Sequence, residues 1–129
     1  MAILHVEDHE PTRDVVRRAL HAHGIAVVST DGVSAAKHAL AEREDVTGAL
    51  IDLRLGDSSG LEFYMWLVTH RPALAARVAF VSGGGTELAR RVAALGRPML
   101  EKPFEIADLV RIASQWEGVD ATGPTSRVS

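Results

Sequence analysis

The sequence predicts an α/β fold in which five parallel strands alternate with five helices, (βα)5, as a three-layer sandwich. Three observations predict it. Short apolar runs alternate with stretches of helical periodicity along the whole chain. The runs are continuously apolar rather than alternating, as expected of parallel strands covered on both faces. Four of them end in reactive residues: 2–6 before Glu7-Asp8, 48–51 before Asp52, 78–81 before Ser82, and 98–100 before Glu101-Lys102-Pro103.

The elements follow in order. Residues 2–6 form the first strand. Residues 10–23 form the first helix, with Pro11 in its first turn, where a missing N–H costs nothing. Val15, Ala19 and Ala22 make an apolar stripe that Val16 and Leu20 widen, and Gly24 is suited to stop the helix. The second strand covers 25–29, and Asp31-Gly32 breaks the chain after it. The second helix, 33–43, carries Val33, Ala36 and Leu40 on one side; the third strand covers 47–51. The third helix runs over 59–71. Ser59 and Glu62 have capping-box spacing, Leu61, Met65 and Val68 repeat at helical intervals, and Pro72 follows. The fourth strand is 77–81. The fourth helix, 86–95, places Leu88, Val92 and Leu95 on one face before Gly96. A short fifth strand at 98–101 leads to the last helix, 105–116, with Ile106, Leu109, Ala113 and Trp116 on one face. The expected strand order is 2-1-3-4-5, the flavodoxin-like arrangement.

The 129 residues suit one domain. The balance of 47% hydrophobic and 24% charged residues is that of a water-soluble globule rather than a disordered or membrane chain. A net charge of −3 offers no broad basic field, so direct nucleic-acid contact is not expected. No apolar run approaches the roughly 20 residues of a membrane span, and the short N-terminal apolar stretch, running straight into Glu7-Asp8, lacks a signal-peptide pattern. With no cysteine there is no thiol chemistry, which fits a reducing cytoplasm. The domain is expected over 1–117. Residues 118–129, rich in Gly, Pro, Ser and Thr, read as a disordered tail or the start of a linker.

In an open parallel sheet, ligands and chemistry collect at the carboxyl ends of the strands. Glu7, Asp8, Asp52, Ser82 and Lys102 therefore converge on one patch. Three carboxylates, a hydroxyl and an ammonium suit a divalent cation and a phosphoryl group. The crowded carboxylates repel, so an empty site raises at least one pKa. Taken singly, each residue has a plainer reading. Asp52 alone would be a turn former, Glu7-Asp8 a helix start, Lys102 a surface charge. Gly83-Gly84-Gly85 lacks the Gly-x-x-x-x-Gly-Lys pattern of a phosphate loop. The six histidines show no metal spacing, and Trp66 and Trp116 read as packing residues.

Taken together, the pieces resemble a receiver domain of two-component response regulators over residues 2–117. They are Val6-Glu7-Asp8-His9, Leu50-Ile51-Asp52-Leu53-Arg54-Leu55, Ser59-Gly60-Leu61-Glu62, Phe80-Val81-Ser82-Gly83 and Leu100-Glu101-Lys102-Pro103-Phe104. The resemblance implies that Asp52 accepts a phosphoryl group from a histidine kinase or a histidine phosphotransfer protein. It implies Mg²⁺, with Mn²⁺ as an alternative, held by Asp8, Asp52 and the Arg54 backbone carbonyl, with Glu7 acting mostly through water. It implies that Ser82 and Lys102 bind phosphoryl oxygens, and that the Lys102–Pro103 peptide is cis. The implied protein is a switch rather than an enzyme on other substrates, catalysing only its own phosphorylation and slow dephosphorylation. Its output, to an effector or a second copy, is implied at the face of the fourth helix, fifth strand and fifth helix.

Three positions depart from the family pattern. Met99 stands where an aromatic side chain is usual, Gly56 where proline is common, and Arg54 puts a long cation beside the acceptor. Two other readings compete: an aspartate-nucleophile hydrolase, and an interaction module with a vestigial site. Arg54 argues against the first, since haloacid-dehalogenase phosphatases place a second aspartate there. The complete set of acids, Ser82 and Lys102 argues against the second.

Overall fold

A computed structural model describes residues 1–56, 58–83 and 87–116. In chain order the elements are β1 (Ala2–Val6), α1 (Glu10–Ala22), β2 (Ala26–Thr30), α2 (Val33–Glu42), β3 (Val46–Asp52), β4 (Arg54–Leu55) and β5 (Ser58–Ser59). They continue with α3 (Gly60–His70), α4 (Pro72–Ala75), β6 (Val78–Ser82), α5 (Glu87–Ala93), β7 (Met99–Glu101) and α6 (Ile106–Ser114). Five strands make one sheet in the order β2-β1-β3-β6-β7, and every neighbouring pair is parallel. This is the flavodoxin-like order expected from the sequence, with β1 and β3 central. The N-terminal start of the fourth predicted helix and the tail at 118–129 lie outside the described residues.

Side-chain alternation along the strands divides the core into two layers. Leu4, Val6, Ala49, Ile51, Val78 and Phe80 pack toward α2, α3 and α5. Ile3, Leu50, Ala79, Val81 and Leu100 pack toward α1 and α6. All of β1, β3 and β6 is buried, which is why those runs carry no polar alternation.

The structure corrects several expectations. A two-stranded antiparallel ladder, β4–β5, follows Asp52, between the predicted third strand and third helix, where no element was expected. Pro72 does not merely end a helix: it opens α4, a further helical turn. The buried face of α1 is Val16 and Leu20, while Val15 is 54% exposed. In α3 the core takes Gly60, Phe63 and Leu67; of the expected stripe only Leu61 packs against the core, partly buried, while Met65 and Val68 are turned outward, 52% and 42% exposed. This helix is apolar nearly all round, so periodicity did not single out one face. In α5 the buried residues are Ala89 and Val92, with Leu95 exposed. In α6 they are Leu109, Ile112 and Ala113, with Ile106 at the surface and Trp116 buried after the helix.

Trp116 is anchored by a glycine. A Cβ on Gly48 of β3 would lie 2.2 Å from Trp116 Cε3, so the indole lies flat on the strand backbone. Ser59 caps α3: its hydroxyl oxygen accepts from the Glu62 amide at 3.1 Å. Among the described residues no helix is long and apolar enough to cross a membrane.

Candidate functional site

The strand alternation that builds the α1–α6 layer also aims the acids and the lysine. Ile3, Leu50 and Leu100 point into that layer. Glu7, Asp52 and Lys102 lie an even number of residues further along the same strands, so their side chains leave the sheet on the same side. The β1–β3 register pairs Val6 with Ile51, which sets Glu7 beside Asp52. Lys102 joins them: its ammonium donates to Asp52 Oδ2 at 2.8 Å and to Glu7 Oε1 at 3.0 Å. Glu7 and Asp52 are both buried, so each is compensated by a charged, hydrogen-bonded partner.

The turns complete the constellation. The Arg54 amide donates to Asp52 Oδ1 at 3.0 Å, which holds the carboxylate from β4. The His9 amide donates to Glu7 Oε2 at 3.3 Å. Arg13 Nη1 donates to the Glu7 carbonyl at 2.8 Å and ties α1 to the end of β1. Asp8 is exposed at the mouth. One carboxylate oxygen each of Glu7, Asp8 and Asp52 lies within 4.8 Å of the others. Such a group of hard oxygen donors, open on one side, fits a small divalent cation that keeps several waters.

Burial pushes the Glu7 carboxyl up to about 7, and the neighbouring Asp52 acts in the same direction; the Lys102 hydrogen bond only partly offsets them. Burial alone would lower the Lys102 pKa, but its hydrogen bonds to Asp52 and Glu7 outweigh this and raise it. Two buried carboxyls sharing one ammonium are thus short of positive charge. Beneath them, burial pushes His5 down to about 4, and its Nδ1 has no hydrogen-bond partner among the described residues.

The cleft above Asp52 has a volume of about 600 Å³, and Asp8, His9, Arg54, Ser58, Gly83 and Lys102 form its walls and rim. Ser82 is not part of this lining. It is buried at the end of β6, and its carbonyl accepts from the Lys102 amide at 2.7 Å. The structure thus brings Glu7, Asp8, Asp52 and Lys102 together, places Arg54 at the wall, and leaves Ser82 just behind Gly83. The Lys102–Pro103 peptide is cis.

Two contributors escaped sequence reasoning. Gly60 carries no signal of its own beyond its place in Ser59-Gly60-Leu61-Glu62, yet a Cβ there would lie 2.3 Å from the Asp52 carbonyl oxygen and 2.8 Å from Ile51 Cγ2. Only glycine lets α3 start against the strand end that carries Asp52. His9 at the rim, with Nδ1 2.7 Å from Thr12 Oγ1, follows the acid pair and had no separate signal.

Comparison with known proteins agrees with this geometry. The family model described as the response regulator receiver domain matches residues 3–114. A response regulator receiver protein from Pseudomonas putida superposes with a TM-score of 0.80 at 28% identity, covering 88% of this chain and 95% of that one. The receiver domain of NtrX from Brucella abortus gives 0.77 at 26% identity, covering 93% and 97%. A structure of NtrX from the same organism in complex with ATP gives 0.78 at 26% identity over 94% of this chain. The chain spans about a quarter of that longer protein, 26% of its length. A search of curated protein sequences gives no match.

Proposed function

The chain belongs to the response regulator receiver domain family, and on that premise we propose that it is a phosphorelay switch whose phosphoacceptor is Asp52. The observation that carries this is the Lys102 ammonium bridging Asp52 and Glu7 at the carboxyl ends of the sheet, beneath an open acidic cleft.

An Asp52 carboxylate oxygen attacks the phosphorus of a phosphohistidine on a histidine kinase or phosphotransfer protein. The O–P bond forms, the P–N bond breaks, and the imidazole leaves. Phosphoryl transfer asks the protein for positioning and charge compensation more than for covalent chemistry. Arg54 N–H and Lys102 orient the Asp52 carboxylate before transfer. Lys102, freed in part from Asp52, pairs with a phosphoryl oxygen. Ser82, brought forward past Gly83, hydrogen-bonds another. Glu7, Asp8, Asp52 and the Arg54 carbonyl would hold Mg²⁺, or Mn²⁺ in its place, and the cation supplies the positive charge this site lacks. Hydrolysis of the acyl phosphate by water through the same cleft resets the switch. Arg54, exposed at the wall, is placed to shield it.

The setting proposed is the cytoplasm, with 1–117 as the switch domain and the face of α5, β7 and α6 as the output surface toward an effector or a second copy. Incubation with acetyl phosphate and Mg²⁺ tests the central reading. Wild type is expected to gain one phosphoryl mass and Asp52→Asn none. Continuous turnover of the donor without an adduct favours a hydrolase, and equal labelling of Asp52→Asn removes Asp52 from the role.

A further inference from the structure

Phe80 of β6 is fully buried and lies two residues before Ser82, on the same face of the sheet. Its register partner on the edge strand is Met99. Tyr64 of α3 packs edge-on against the Phe80 ring, with centroids 5.4 Å apart and planes at 67°. Aromatic pairs favour this T-shaped arrangement, so the two rings constrain each other's orientation. Leu88 of α5 lines the Asp52 cleft and packs against the same buried cluster as Tyr64 and Met99. One contiguous group of side chains therefore runs from Leu88 at the cleft wall, by way of Phe80, to Tyr64 of α3.

The members of this group differ in what they can do. Phe80 has no exposure and no polar tip. Met99 is flexible and fills gaps without a preferred orientation. Tyr64, the chain's one tyrosine, is a half-buried ring, less enclosed than Phe80. A close-packed interior does not yield at one point without its neighbours moving. When Ser82 shifts toward a modified Asp52, the space it leaves lies on the Phe80 face. Tyr64 is the half-buried ring packed against Phe80 on that face.

We propose that Tyr64 is a relay residue: phosphorylation of Asp52 repositions the Tyr64 ring against Phe80 and so couples the cleft through α3 to α5. The proposal rests on Asp52 being the phosphoacceptor. It adds a route through α3 to the α5 side of the proposed output face.

Fluorine NMR of the whole chain with biosynthetic fluorotyrosine tests it. A single tyrosine gives a single protein resonance, and beryllofluoride bound at Asp52 gives its own signal, so loading and response are read separately. With Mg²⁺ and beryllofluoride the bound-analogue signal is expected together with a shift of the Tyr64 resonance; Asp52→Asn is expected to show neither. In parallel, Tyr64→Ala is expected to keep the bound-analogue signal but lose the analogue-dependent change in amide exchange over 87–93, while Tyr64→Phe keeps both. Tyr64→Leu serves the same comparison if Tyr64→Ala does not fold. Bound analogue with an unmoved Tyr64 resonance, or a wild-type exchange response in Tyr64→Ala or Tyr64→Leu, overturns the relay and leaves the phosphoacceptor reading standing. Absence of bound analogue in wild type overturns that reading, and the relay with it.

Discussion

At the residue scale the site is governed by too little positive charge. Glu7 has its pKa raised from 4.5 to about 7 by burial and by Asp52, while His5 below is lowered from 6.5 to about 4 by burial. The two act on stability with opposite sign. Glu7 gains a proton on folding between these values, so its contribution is fully present below pH 4.5 and is lost as pH rises through 7. His5 loses one, so its contribution is present above pH 6.5 and is lost as pH falls through 4. In EDTA, Glu7→Gln is therefore expected to be more stable than wild type at pH 8 by up to about 3 kcal/mol, a gain that vanishes near pH 4.5. Urea unfolding across pH measures this. An equal difference at both ends of the range would mean that Glu7 is not the strained carboxyl.

At the element scale α3 decides how the acceptor is presented. Its first residue, Gly60, touches the Asp52 backbone, and its buried face is Phe63 and Leu67. Gly60→Ala has to displace either the strand end or the helix, and a cost of about 1–3 kcal/mol is expected from overpacking, with slower labelling by acetyl phosphate. Normal labelling kinetics in a folded Gly60→Ala would show that the close approach is dispensable. The two faces of the same helix give a second comparison. Leu67→Ala is expected to cost about 2–5 kcal/mol by cavity formation. Met65→Gln and Val68→Thr are expected to stay within about 0.5 kcal/mol, as surface substitutions do. The apolar repeat 61, 65, 68 would have forecast the reverse. Chemical denaturation of the three variants separates the alternatives.

For the molecule as a whole, the cation is expected to link the site to global stability. Glu7, Asp8 and Asp52 offer oxygens within 4.8 Å of one another only when β1 and β3 are paired, so a divalent cation binds the folded state. At a hundredfold excess over Kd this adds about 2.7 kcal/mol. Millimolar Mg²⁺ is expected to raise Tm in wild type, and Asp8→Ala is expected to lose most of the rise. Asp8 is the exposed member of the trio, so its removal leaves the core intact. An undiminished rise in Asp8→Ala would place the cation elsewhere.

The order of the five-stranded parallel sheet and the convergence of Glu7, Asp8, Asp52 and Lys102 can be read from the amino-acid sequence. Each rests on a local signal: a run apolar enough to be buried on both faces, ending in a residue that has to leave the sheet. The capping serine of α3 was legible for the same reason, since Ser59 and Glu62 lie three residues apart, whereas the cis Lys102–Pro103 peptide was expected only from the family resemblance. Tertiary structure alone decided the rest. Which side of α3 meets the sheet depends on the rotation of a helix whose apolar residues do not mark a single face, as Met65 and Val68 show; in α1 the sheet selects Val16 and Leu20 from a broad apolar face and leaves Val15 at its edge. The glycines at 48 and 60 matter because another part of the chain approaches within a bond length or two of where a Cβ would stand. Crowding predicted at least one raised carboxyl pKa; burial and the neighbouring Asp52 raise that of Glu7, and the Lys102 hydrogen bond offsets them only in part.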